Sequence, residues 1–84
     1  MRPSRTRARE LHLLAFVRAY STVRGIAPVY EEIADELCVS VPFIHKLVCR
    51  LEASGEVACL WVSGHRSPRS IRVVMSAAQT TKGP

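Results

Sequence analysis

The sequence predicts a mainly α-helical fold closed by a small antiparallel β-hairpin, and three observations carry that prediction. Three successive stretches place apolar residues at helical spacing. After Gly55 the hydrophobic period switches from 3.6 to 2. Gly25, Pro28, Gly55, Gly64 and Pro68 punctuate the chain where one element must give way to the next. With 84 residues, 48% of them apolar, there is room for one domain and material for one core.

Residues 1–5 read as a basic arm, because Arg2, Pro3, Ser4 and Arg5 offer no apolar anchor. A folded domain is expected over 6–76 and a loose polar tail over 77–84. The first helix is expected to start near Thr6 or Arg7, with Leu13, Phe16, Val17 and Tyr20 at i, i+3, i+4 and i+7 and with Leu11 and Leu14 broadening the stripe. Gly25 stops it, and Ile26-Ala27-Pro28 connects. A short second helix follows over Val29–Leu37, with Glu31 and Glu32 at its positive end and Ile33, Ala34 and Leu37 on its apolar face. Cys38-Val39-Ser40 is long enough only for a turn, and Cys38 stands where a positive φ would be costly for any residue but glycine. Ser40 suits an N-cap and Pro42 suits a first helical turn. Ile44, Leu47, Val48 and Leu51 then mark the third helix, which Gly55 ends. Val57–Val62 and Ser70–Met75 read as the two hairpin strands, joined by a loop at Ser63–Pro68.

Helix, helix, tight turn, helix, hairpin is the layout of a three-helix winged helix-turn-helix. Ala34 supplies the small residue at the crossing, and Leu37 and Ile44 face each other across the turn. At 100° per residue, the side of the third helix away from its core stripe carries Pro42, Lys46, Cys49 and Ala53, flanked by His45 and Arg50. In such folds that side enters the DNA major groove, and its first two turns meet base edges. Ser40, Val41, Pro42, Phe43, His45, Lys46, Cys49 and Arg50 are therefore the candidate groove residues. Lys46 can donate to guanine or phosphate, and Val41 and Phe43 can touch thymine methyls. Arg7 near the first helix start, with Arg66 and Arg69 on the wing, are the candidate backbone or minor-groove contacts.

The charge pattern agrees with a polyanionic partner. Net charge is +5, and ten of the twelve basic residues are arginine. Glu31, Glu32, Asp35 and Glu36 crowd four of the seven acids into one patch, so elsewhere twelve bases face three acids.

The run Arg18-Ala19-Tyr20, Gly25-Ile26-Ala27-Pro28, Glu32-Ile33-Ala34 and Leu37 resembles the start of the DNA-binding domain of LexA repressors. Leu51-Glu52-Ala53-Ser54-Gly55-Glu56-Val57 and Arg69-Ser70-Ile71-Arg72-Val73 are similar to its third-helix end and wing. The resemblance covers roughly residues 6–74 and does not include the self-cleaving peptidase that follows in LexA proteins. It implies a repressor-type regulator that reads operator DNA with the third helix, as a homodimer on a palindrome, in the cytoplasm of a bacterium or encoded by its phage or plasmid, associated with the nucleoid. LexA repressors commonly present small polar and acidic groups to the bases. This chain presents Val41, Pro42, Phe43, His45 and Lys46 instead, which implies a different operator.

Other classes fit the sequence less well. Cys38, Cys49 and Cys59 form neither a disulfide framework nor a CxxC knuckle, and His45 with Cys49 is at most half a metal site, so no metal or cofactor is expected. His12, His45 and His65 lie on different elements with no carboxylate pair or activated serine, so no enzyme is expected. The longest uncharged runs are nine residues, as in Val57–His65, too short to span a membrane. The alternative is a winged-helix interaction module that docks a basic protein through Glu31, Glu32, Asp35 and Glu36.

Overall fold

The computed structural model describes residues 5–74. The expected arm over 1–4, Met75 of the second strand and the tail over 77–84 lie outside the described residues. Within them the chain is mainly helical: α1 (Arg5–Arg24), α2 (Tyr30–Leu37) and α3 (Val41–Ser54) precede four two-residue strands, β1 (Val57–Ala58), β2 (Trp61–Val62), β3 (His65–Arg66) and β4 (Arg72–Val73).

α1 starts at Arg5, so this residue belongs to the helix and not to the arm. Arginine is a good helix former, and nothing after Pro3 and Ser4 prevents the first turn from closing. The inner stripe is narrower than its periodicity suggested. Leu13 and Val17 are buried and Leu14 and Phe16 pack partly, while Leu11 is half-exposed. Glu10 takes the remaining inner position and is 4% exposed. Gly25, at φ +76°, ends the helix by donating its N–H to the Ser21 carbonyl at 2.8 Å.

α2 begins after Val29, whose N–H donates to the Glu32 carboxylate at 2.8 Å. At its other end, Val39 N–H reaches Ala34 O at 3.0 Å and Cys38 N–H reaches Asp35 O at 3.3 Å. That is a Schellman closure with cysteine at φ +58°, ψ +44°, a position that ordinarily holds glycine. The same closure recurs after α3, where Gly55 sits at φ +85° and Glu56 N–H donates to Leu51 O at 2.9 Å. Ser40 caps α3 as expected, its hydroxyl accepting from Phe43 N–H at 3.3 Å, with Pro42 in the first turn.

The core joins all three helices to the strands: Leu13 and Val17 from α1, Ile33, Ala34 and Leu37 from α2, Ile44, Leu47, Val48 and Leu51 from α3, then Val57 and Ile71. β1 lies against α3 and β4 against α1, so the base of the hairpin bridges the first and third helices.

The hairpin is less regular than two continuous strands. Val57 pairs with Val73 and Ala58 with Arg72, while Trp61 pairs with Arg66 and Val62 with His65, both ladders antiparallel. Between the ladders lie two residues on one side, Cys59 and Leu60, and five on the other, Ser67 to Ile71. Unequal lengths force the pairing to break. Ser70 bridges the gap, its hydroxyl donating to Ser67 O at 2.6 Å and accepting from Leu60 N–H at 3.1 Å. The tip is a two-residue turn with Ser63 at φ +51° and Gly64 at φ +81°, the signs that a type I′ turn requires. His65–Arg66 is thus strand and not loop.

The left-handed cysteine gives the first prediction. Cys38→Gly removes the Cβ conflict and should stabilise the fold by about 1 kcal/mol, read as a higher urea midpoint with unchanged slope. Cys38→Val should lower the midpoint. Equal midpoints for all three chains would show that the turn relaxes without cost.

Candidate nucleic-acid interface

Three glutamates decide how α3 is presented. Glu52, on the flank of α3 toward the hairpin, accepts from Trp61 Nε1 at 2.9 Å, from Arg66 Nε at 3.1 Å and from Arg66 Nη2. The Arg66 guanidinium lies 4.4 Å over the Trp61 ring and also donates to Cys49 Sγ at 3.2 Å. Its side chain is only 13% exposed, so an arginine expected to reach outward is instead folded onto α3. On the other flank, Glu10 accepts from Arg50 Nε at 2.9 Å and from Arg7 Nη1 at 2.8 Å, and Arg7 also pairs with Glu56 at 3.1 Å. Glu56 in turn accepts from the Ser54 hydroxyl at 2.9 Å.

Arg69 performs a third fastening. At φ +57° its side chain turns back to the helices, donating to Ala27 O at 3.0 Å and to Glu32 at 3.3 Å. Tyr20 donates its hydroxyl to the same Glu32 at 2.9 Å, so one carboxylate ties α1, the start of α2 and the hairpin loop together.

Of the residues expected at the interface, His45, Lys46, Cys49, Arg50 and Arg66 line one shallow depression of about 410 Å³ on the outer side of α3. Ser40 and Pro42 are exposed at the helix start, whereas Val41 and Phe43 are half-buried and pack against the core. Arg7 lies apart from this depression, in a second hollow with Glu10, Arg50 and Glu56 at the C-terminal end of α3. Arg69 lies at the base of the hairpin, against the α1–α2 connection. Lys46 makes no hydrogen bond or ion pair among the described residues and is exposed. Arg9, 5.5 Å over the Phe43 ring, adds a cation beside the start of α3 that has no carboxylate partner among the described residues.

His45 stands edge-on to Tyr30, with ring centroids 4.6 Å apart. The Tyr30 hydroxyl is buried and has no hydrogen-bond partner among the described residues, and burial, with the neighbouring Cys59 thiol, pushes its pKa up. No group of three or more His, Cys, Asp or Glu side chains placed to hold a metal occurs among the described residues. Among them, no helix is long and apolar enough to cross a membrane.

Glu52 and Tyr30 are the groups to which sequence reasoning gave no role at this surface. Glu52 sits at 80° from the Ile44 direction of α3, on the same side as His45. That position marks a flank, but only the hairpin register shows what fills it. No protein-family model, curated protein or solved structure matches the chain.

The glutamates have a measurable acid signature. Burial alone would raise Glu10 and Glu52, but the guanidiniums of Arg50 and Arg7, and of Arg66 with the Trp61 N–H, outweigh it and hold both below the usual glutamate range. Arg7 lowers Glu56, and the Val29 N–H and Tyr20 hydroxyl lower Glu32. A depressed carboxylate contributes stability that is present above the unfolded value and lost as pH falls through the folded one. Stability should therefore hold from neutral pH down to the unfolded glutamate value of about 4.3 and fall below it. Glu10→Gln should cost about 1–3 kcal/mol at neutral pH and flatten that fall. A Glu10→Gln chain with the wild-type acid profile would remove Glu10 from this account.

Proposed function

We propose that the chain is a winged helix-turn-helix DNA-binding transcriptional regulator of repressor type, reading the major groove with α3 and using the β2–β3 hairpin as its wing. The observation that carries this reading is the outer side of α3. There an exposed Lys46, without a hydrogen bond or ion pair among the described residues, stands with His45, Cys49, Arg50 and Arg66 around one depression, between flanks held by Glu10 and Glu52. Base readout needs donors on a rigid helix, and phosphate contact needs cations at its rim. Both are present. The three-residue turn between α2 and α3 and the hairpin after α3 support the same layout, as does the resemblance to LexA repressors.

Docking of a basic protein through α2 draws less support. Glu32 is bound to Val29, Tyr20 and Arg69, and Glu36 to His12 at 3.1 Å, which leaves Glu31 and Asp35 as the acids of that face without a side-chain partner among the described residues.

The internal pairing of Arg66 sharpens the division of labour. Lys46→Ala and His45→Ala should each reduce preference for a selected duplex by about 1–3 kcal/mol if they contact a base well. Arg66→Ala should weaken selected and random duplexes alike, and Glu52→Gln should reproduce much of that loss if Arg66 acts by holding the wing. Binding should weaken with salt, log K falling by about 0.9 per neutralised phosphate for each unit of log salt. Anisotropy titrations against selected and random duplexes read all of these. A salt slope of zero would favour protein docking instead.

One winged helix buries only about 600–1,000 Å² on DNA, so specificity calls for two copies on a palindrome with half-sites about one helical turn apart. Leu60, Trp61 and Val62 are 60%, 50% and 55% exposed on the hairpin and form the candidate contact between copies. Three residues make a small interface, so the free chain should sediment as a monomer or weak dimer and pair cooperatively on full operators. A tight dimer without DNA, or equal affinity for half and full sites, contradicts this.

A further inference from the structure

A groove of about 540 Å³ runs between the hairpin and the N-terminal turns of α2 and α3, within the ~300–1,000 Å³ usual for small-ligand sites. Three elements each supply flat rings to it: Tyr30 from α2, His45 from α3, and Trp61 and His65 from the hairpin. Tyr30 and His45 already meet edge-on, and Trp61 stays half-exposed although one arginine rests on its ring. Rings gathered this way suit a planar guest, because stacking is the contact they all offer.

Charge narrows the guest further. The Arg66 guanidinium borders the groove, but its charge is matched by Glu52. Glu31, exposed in the first turn of α2, lines the groove with no hydrogen bond or ion pair among the described residues. A carboxylate without a partner accepts N–H donors and repels anions.

We infer that this groove binds a small planar nitrogen heteroaromatic without a phosphate, a purine base or nucleoside, stacked among Tyr30, His45 and Trp61 and donating an N–H to Glu31. Its walls are the side of α3 and the hairpin that the proposed function gives to DNA, so the guest acts as an effector that opposes DNA binding. That consequence rests on the DNA reading, whereas occupancy of the groove does not.

Trp61 is the only tryptophan in the chain, so its fluorescence reports the groove directly. The full chain is titrated with adenine, adenosine and AMP, without DNA. Adenine and adenosine should each give a saturable change, and AMP should bind about fivefold more weakly, the effect of one like-charge contact in a water-like medium. Glu31→Gln, at an exposed position, should abolish that preference, and His45→Ala should weaken adenine. No saturable change with any of the three overturns the proposal. So does AMP binding as well as adenosine, or a preference unchanged in Glu31→Gln. A parallel titration with labelled duplex separates the two readings. Duplex binding without any adenine response at Trp61 leaves the DNA reading and removes the groove, and an adenine response without duplex binding does the reverse.

Discussion

The carboxylate of Glu52 fixes the geometry on which the outer surface of this protein depends. It takes the indole N–H of Trp61 and two donors of Arg66, which places both strands of the β2–β3 hairpin against one flank of α3. Two-residue strands have little pairing energy of their own, and an isolated hairpin is marginal in water. Val57 and Ile71 anchor the base of the hairpin in the core, but Trp61 and Val62 farther out are largely exposed. The charge-assisted contact with Glu52, with Arg66 stacked on Trp61 and donating to Cys49, holds the outer half against α3. Such pairs are worth more at partly buried positions than on an open surface, and both partners here are less than one-fifth exposed.

The same principle operates twice more. Glu10 binds arginines from α1 and α3, and Glu32 binds Tyr20, Val29 and Arg69. Four of the arginines in this basic chain therefore serve as fasteners between elements. The surface field that a polyanion would meet comes instead from the cations that no carboxylate holds among the described residues, Lys46 and Arg9 beside α3 being two of them. This separates a strongly basic composition from a strongly basic face. The first is a property of the list of residues, the second of their pairing.

That distinction also marks where the sequence is readable. Each helix could be placed because its signals are local: apolar spacing in Leu13–Val17 and Ile44–Leu51, a serine cap at Ser40, glycine at Gly25 and Gly55. At Cys38 the sequence showed what a positive φ would cost, and the fold adopts that φ. The hairpin could be anticipated only as a hairpin. Its break follows from two residues facing five between the ladders, and nothing in Val57–Val62 announces that register. Arg66 and Arg69 read as outward cations because their acidic partners lie 14 and 37 residues earlier in the chain. Pairings at such separations are set by tertiary packing, which period and propensity do not encode. The outer side of α3 was readable for the opposite reason, since one helical rotation brings Lys46 and Cys49 together without help from the rest of the fold.

The central claim is that duplex DNA lies on the outer side of α3, next to a hairpin held by Glu52. The most direct test is an amide-resolved NMR titration of the labelled chain with a short duplex at low salt. Shifts should concentrate on Val41–Arg50 and on His65 at the hairpin tip, fade as salt is added, and leave the outer side of α1 around Ala15 and Ala19 unmoved. Shifts centred on Glu31–Glu36 of α2, or a spectrum that the duplex leaves unchanged, would contradict the account.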